Sequence, residues 1–308
     1  MSFFKPRKIE RNYDLFKSYA FYVCGVGGMF GLLGWFIAGA LLGNFVSGSL
    51  ALMISQDFAM SYAGIIAYPM MFVLVMIFTA YKSRKNALFD NGYALNSSHF
   101  GNKGALVITL LAVVSVLCTS FISDIFNYIM PPMPKWLEDL LTSMTQGDLL
   151  LKFFCVSIMA PFFEEWLCRG EVLRGLLNYK RTDGSSMKPV WAIIISAAFF
   201  ALIHANPWQA VPAFIIGLLL GFVYYKTGSL LLTMLMHGCN NAMALVFSNI
   251  DITKNASSWL DILPGWGFGL GCIICAAIIY YVIKTINDIP LQSPKGNCDI
   301  VEANTDIL

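Results

Sequence analysis

The sequence predicts an all-α, polytopic membrane protein of about eight transmembrane helices. Two observations carry this. Hydrophobic residues make up 57% of the chain and charged residues only 12%, against about 45–50% and about 25% in soluble domains. Apolar stretches near the length of about 20 residues that crosses a bilayer recur between residues 18 and 284.

Breaks at glycine, proline and charge clusters divide these stretches into spans at residues 18–42, 61–81, 105–129, 149–167, 190–204, 208–225, 229–248 and 267–284. The first follows a basic segment (Lys5, Arg7, Lys8, Arg11) and is too long for the apolar region of a signal peptide, so no cleavable signal is expected. The second ends at Lys82, Arg84 and Lys85. Between the third and fourth, residues 131–148 place Trp136, Leu137, Leu140, Leu141 and Met144 at helical spacing, which fits a short helix anchored at the interface. The fourth span ends near a pair of glutamates. The fifth and sixth are short and separated only by Ala205, Asn206 and Pro207, so a tight hairpin that does not cross the full bilayer fits them equally well. The tail beyond Lys284 is polar, carries Pro290 and Pro294, and is expected to be disordered.

The organisation expected is a cytoplasmic N-terminal segment (1–17), then a transmembrane region with its interfacial segment (18–148). A catalytic transmembrane core (149–248), an external loop with the last helix (249–284) and a cytoplasmic tail (285–308) follow. With the N-terminus inside, seventeen Lys and Arg residues fall in inside segments and only Lys135, Lys152 and Lys254 on or near the other side. That bias predicts a multi-pass cell membrane protein with both termini cytoplasmic. The eight cysteines are scattered, mostly in apolar segments, and read as small buried hydrophobes, Cys272 and Cys275 included. Nothing points to nucleic acid.

Ionisable groups within spans are costly, by about 2.5–3.5 kcal/mol each on insertion scales, so each needs a reason. Three places stand out. Glu164 and Glu165 are adjacent and point about 100° apart on a helix. Glu165 and Arg169 are four apart and can pair, which leaves Glu164 without a local partner and suited to act as a general base. His204 ends an apolar run that begins with the fifth span. His237 and Asn241 lie one turn apart on the seventh span and share a face. Taken together the groups match peptide hydrolysis. A carboxylate at Glu164, helped by His204, can take a proton from water, and the His237 ring and Asn241 amide can donate to an oxyanion. Zinc on Glu164, His204 and His237 is the weaker alternative, because no local ligand pair such as H-E-x-x-H occurs. The aromatic positions Phe162, Phe163, Tyr224 and Tyr225 read as packing or lipid-facing groups.

In order, Glu164-Glu165-x-x-x-Arg169, Phe200-x-x-x-His204 and His237-x-x-x-Asn241 resemble the three motifs of the type II CAAX prenyl endopeptidase family, also called the CPBP or Abi family. Asn206-Pro207 and residues 226–230 add to the likeness, which covers about residues 152–248. The resemblance implies an eight-span helical fold with an active site sunk in the membrane. By it Glu164 is the catalytic base, His204 helps activate water, and His237 and Asn241 stabilise the oxyanion. Glu165 and Arg169 support the site, and the chemistry is that of a glutamic protease without a metal. The substrate it implies is a membrane-tethered or prenylated peptide or protein. Two other classes compete with this expectation. One is a non-catalytic scaffold or bacteriocin self-immunity protein using the same groups to bind a peptide. The other is a small transporter, which the lack of an inverted repeat disfavours.

Overall fold

The computed structural model describes residues 24–85, 93, 95–138, 148–179, 185–250, 253, 256 and 258–291. Among them the regular structure is helical and no strand occurs. The helices are α1 (Val26–Met53), α2 (Gln56–Lys85), α3 (Gly104–Ser123), the short α4 (Ile125–Ile129), α5 (149–178), α6 (Pro189–Ile203), α7 (Pro207–Thr227), α8 (Leu230–Phe247) and α9 (Gly265–Asn287). Apart from the one-turn α4, they correspond to the eight expected spans. Among the described residues six segments are long and apolar enough to cross a membrane. Their outer faces are apolar as lipid requires: Phe45 is 73% and Leu52 91% exposed.

The remaining two are the unusual ones. Helix α6 has 15 residues, about 22 Å at 1.5 Å per residue, which falls short of a hydrocarbon core of about 30 Å. It folds back on α7 through Ala205, whose φ of +56° is left-handed and costs a non-glycine residue about 1–2 kcal/mol. Asn206 fixes the reversal: its side chain accepts from Gln209 N at 2.9 Å and donates to His204 O at 2.9 Å. Helix α5 runs eleven residues past the expected end at Leu167, and this corrects the sequence reading. Arg169 and Arg174, counted there among the inside charges, are 0% and 4% exposed inside it, beside the equally buried Glu171. Arg169 and Arg174 therefore drop out of the loop charges that orient the chain, without removing the bias.

The first span was also misplaced, because Gly43 and Asn44 read as a break. They lie inside α1. The Asn44 amide bonds back to Ala40 O at 3.1 Å, and Gly39 and Gly43 are where α1 touches α2. A Cβ at Gly39 would come within 2.4 Å of Met71 O, and one at Gly43 within 2.6 Å of Ala67 O. This is the G-x-x-x-G contact of packed membrane helices. Gly39→Val is expected to push α1 off α2 and destabilise the protein by about 1–3 kcal/mol, the range for overpacking. A thermal melt in detergent reads it, and an unchanged midpoint would contradict the contact.

Two clusters of buried side chains hold the bundle. One joins α1, α2, α5, α6 and α7 through Phe36, Phe72, Trp166, Phe200 and Tyr224. The other joins α3, α7, α8 and α9 through Ile108, Val116, Leu220, Met236 and Ile286. Helix α7 serves both, so it is the central post. It ends at Gly228, whose φ of +62° needs glycine. The loop before α3 docks on this turn: Ser97 N donates to Gly228 O, His99 N to Thr227 O and Leu230 N to Asn96 Oδ1. The break between α3 and α4 falls at Asp124, which accepts from Ser258 Oγ and Trp259 N and ties down the loop before α9. Of the expected interfacial helix, residues 135–138 are helical and Leu137 is buried, while Leu140, Leu141 and Met144 lie outside the described residues. So do the N-terminal basic segment, Cys298 and most of the tail.

Candidate active site

Proline shapes the helix that carries the glutamates. Pro161 has no N–H, so it cannot bond the carbonyl of Ser157 in α-register or of Val156 in the wider π-register. Around it α5 is wound as π-helix over Phe154–Met159, then as α-helix over Ala160–Glu165. Helix α8 takes up the freed Val156 carbonyl and packs closely on that of Ser157. Asn241 Nδ2 donates to Val156 O at 2.9 Å. Gly238 lies so close that a Cβ there would sit 2.5 Å from Ser157 O. A second π-wound stretch, Trp166–Leu173, carries Arg169 and Glu171 inward. Such widenings favour unusual side-chain placements and are frequent at functional sites.

Glu165 and Arg169 meet as their spacing predicts. Arg169 Nη1 lies 2.8 Å from Glu165 Oε1, with both side chains fully buried. The guanidinium also donates through Nη2 to Gly217 O at 3.0 Å and sits over the Phe200 ring, 4.6 Å from its centroid. Glu165 Oε1 has a second partner, His237 Nδ1 at 3.0 Å. With Nδ1 donating to this carboxylate, Nε2 of His237 carries the lone pair in the neutral ring and a proton only in the imidazolium. That nitrogen faces Glu164 Oε2 at 3.7 Å. Glu164 is the more open of the two carboxylates, with 14% of its side chain exposed. Its Oε2 is buried without a hydrogen-bond partner.

His204 is brought close by way of an aromatic ring. Its Nδ1 lies 2.8 Å from Phe200 O, which fixes the proton there and leaves Nε2 with the lone pair in the neutral ring. The imidazole meets the Phe200 ring edge-on at 4.9 Å, and His237 meets the same ring edge-on at 5.4 Å. Phe200 thus stands between both histidines and Arg169. Asn241 is anchored to Val156 O by one amide hydrogen, and its Oδ1 accepts from Asn240 Nδ2 at 3.4 Å. Glu164 and His237, two of the three alternative zinc ligands, approach each other. Among the described residues no group of three or more His, Cys, Asp or Glu side chains is arranged to hold a metal ion.

Sequence reasoning missed one group at the site: Tyr68 of α2 donates its hydroxyl to Glu164 Oε1. A tyrosine in an apolar run looks like a packing residue, and no spacing rule links residue 68 to residue 164. It also missed the second G-x-x-x-G, Gly217 to Gly221. A Cβ at Gly217 would come within 3.1 Å of Ala197 Cβ, and one at Gly221 within 3.0 Å of Ile193 Cγ2. These glycines let α7 lie against α6 and put the Gly217 carbonyl within reach of Arg169. Tyr224, read as a packing or lipid-facing group, is buried and bonds Leu95 O at 2.9 Å. Phe163 stacks on Phe72, with centroids 5.1 Å apart.

An all-helical bundle of apolar helices that gathers carboxylates, an arginine and an imidazole in its interior defines a multi-pass membrane protein with an intramembrane polar site. Residues 146–243, which hold all three motifs, match the model of the Rce1-like family, type II CAAX prenyl endopeptidase Rce1-like. This is the family the motifs resemble, and it is a protease family. No curated protein and no solved structure matches the chain.

Proposed function

We propose that the protein is an intramembrane endopeptidase that hydrolyses peptide bonds of membrane-tethered or prenylated, CaaX-type peptides with water activated by Glu164. The observation that carries this reading is the asymmetric Glu164 carboxylate. One oxygen is engaged by Tyr68, and the other lies free beside an imidazole in a buried surround. Water bound at Oε2 would pass its proton to Glu164 as it attacks the carbonyl carbon, and Glu164 would return that proton to the leaving amine. His204, its lone pair on Nε2, would orient the water. His237, held by Glu165 at Nδ1, would donate to the oxyanion through Nε2 when its ring carries both protons. Asn241 offers the amide hydrogen not used by Val156. Glu165 and Arg169 fix the His237 ring, and the low-dielectric surround strengthens each of these contacts. By this reading the substrate is a peptide or lipidated protein in the membrane, both termini of the enzyme are cytoplasmic, and residues 149–248 form the catalytic core.

The test uses purified protein in lipid nanodiscs with farnesylated CaaX peptides and unlipidated peptide precursors, and mass spectrometry of the products. The wild type is expected to release a C-terminal fragment, and His204→Ala to lose that activity while it still inserts and folds. A chelator is expected to leave the rate unchanged. Binding without any cleavage, surviving loss of Glu164, His204, His237 and Asn241, would favour a scaffold or immunity protein instead.

A further inference from the structure

We infer that Tyr68 is a positioning residue for this hydrolysis: its hydroxyl pins one oxygen of Glu164 so that the other takes the proton from water. The inference rests on the proposed function and adds to it a residue from the N-terminal hairpin, outside the matched residues 146–243.

The two carboxylate oxygens of Glu164 differ. Oε1 accepts from the Tyr68 hydroxyl, while Oε2 is buried, has no hydrogen-bond partner and faces His237 Nε2 at 3.7 Å. A hydrogen bond to an ionised carboxylate is among the stronger kinds, and here it fixes the turn of the carboxylate plane. Without it the group is free to rotate and to present either oxygen to the bound water. The hydroxyl is itself held in place. The Tyr68 ring lies 5.5 Å from that of Phe72, which stacks at 5.1 Å and 18° on Phe163, the residue before Glu164. Three rings thus join α2 to α5 beside the carboxylate. Pro69 follows Tyr68 within α2 and cannot donate to the carbonyl of residue 65, which loosens the ladder at the turn that turns toward Glu164. A tyrosine buried only for packing would also seek a hydrogen-bond partner. That role asks nothing of the particular oxygen it bonds, and it leaves turnover untouched when the hydroxyl is removed.

Tyr68→Phe in the full chain in nanodiscs, assayed on a farnesylated CaaX peptide, separates the two roles. The expected result is a kcat about 100-fold lower, the scale of a misplaced catalytic group, with KM unchanged and only a small fall in thermal midpoint from the lost hydrogen bond. Wild-type kcat in Tyr68→Phe, with Glu164→Gln inactive, overturns the inference and leaves the function standing. Full activity of Glu164→Gln overturns the function itself. Infrared spectra of protein labelled with ¹³C-glutamate read the contact without turnover. Tyr68→Phe is expected to shift a side-chain carboxyl band in the wild-type background and none in the Glu164→Gln background. An unshifted band overturns the inference whatever the activity.

Discussion

Arg169→Met is expected to be the most destabilising single change in the site. Its guanidinium is fully buried and serves three neighbours: Glu165 Oε1 at 2.8 Å, Gly217 O at 3.0 Å and the Phe200 ring at 4.6 Å. Removing it leaves the Glu165 carboxylate buried with His237 as its remaining partner, and breaking a buried pair costs about 3–5 kcal/mol. Activity falls with stability, because Glu165 then draws the His237 ring without a counterweight and Phe200 loses the group that packs on its face. The expected readout is a marked drop in thermal midpoint in detergent and a lower yield of folded protein. The double variant Arg169→Met with Glu165→Gln removes both charges together and is expected to recover much of the lost stability. A single variant as stable as the wild type, or a double variant no better than the single, would contradict this account of the pair.

Glu164→Gln carries the second large effect, on rate alone. The amide keeps the shape of the side chain and can still accept from Tyr68, so α2 and α5 stay joined. What is lost is the oxygen that takes a proton. General-base catalysis contributes about 10²–10⁴-fold, and kcat/KM is expected to fall by that order while the thermal midpoint holds. A variant that melts early would place Glu164 among structural groups instead. The contrast with Arg169 is the informative part: two residues five apart on one helix, one expected to act on stability and the other on chemistry.

Much of this architecture could be read from the sequence, because bilayer-crossing helices announce themselves by apolar length. What failed were positions where a residue type has two meanings. Gly43 reads as a break but is a contact surface pressed on Ala67. Arg174 reads as an inside loop charge but lies buried in a span, bonding Gly170 O at 2.7 Å one turn back. Within the site, Glu165 with Arg169 was legible because both lie on one helix at a spacing that fixes their separation. The approach of His237 to both glutamates was not, since it depends on how closely α8 lies against α5. That closeness comes from Gly238 and from the carbonyls that Pro161 leaves free, each innocuous in the sequence. Tyr68 was the least legible, as it reaches Glu164 from a helix with no motif of its own.

The claim on which the account depends is that Glu164 delivers water directly to a peptide carbonyl. Turnover of a farnesylated CaaX peptide in H₂¹⁸O, followed by mass spectrometry of the newly formed C-terminus, tests it most directly. One ¹⁸O is expected in the new carboxylate made by the wild type under single turnover, with Glu164→Gln forming product about 10²–10⁴-fold more slowly. Product formed by Glu164→Gln at the wild-type rate would contradict it.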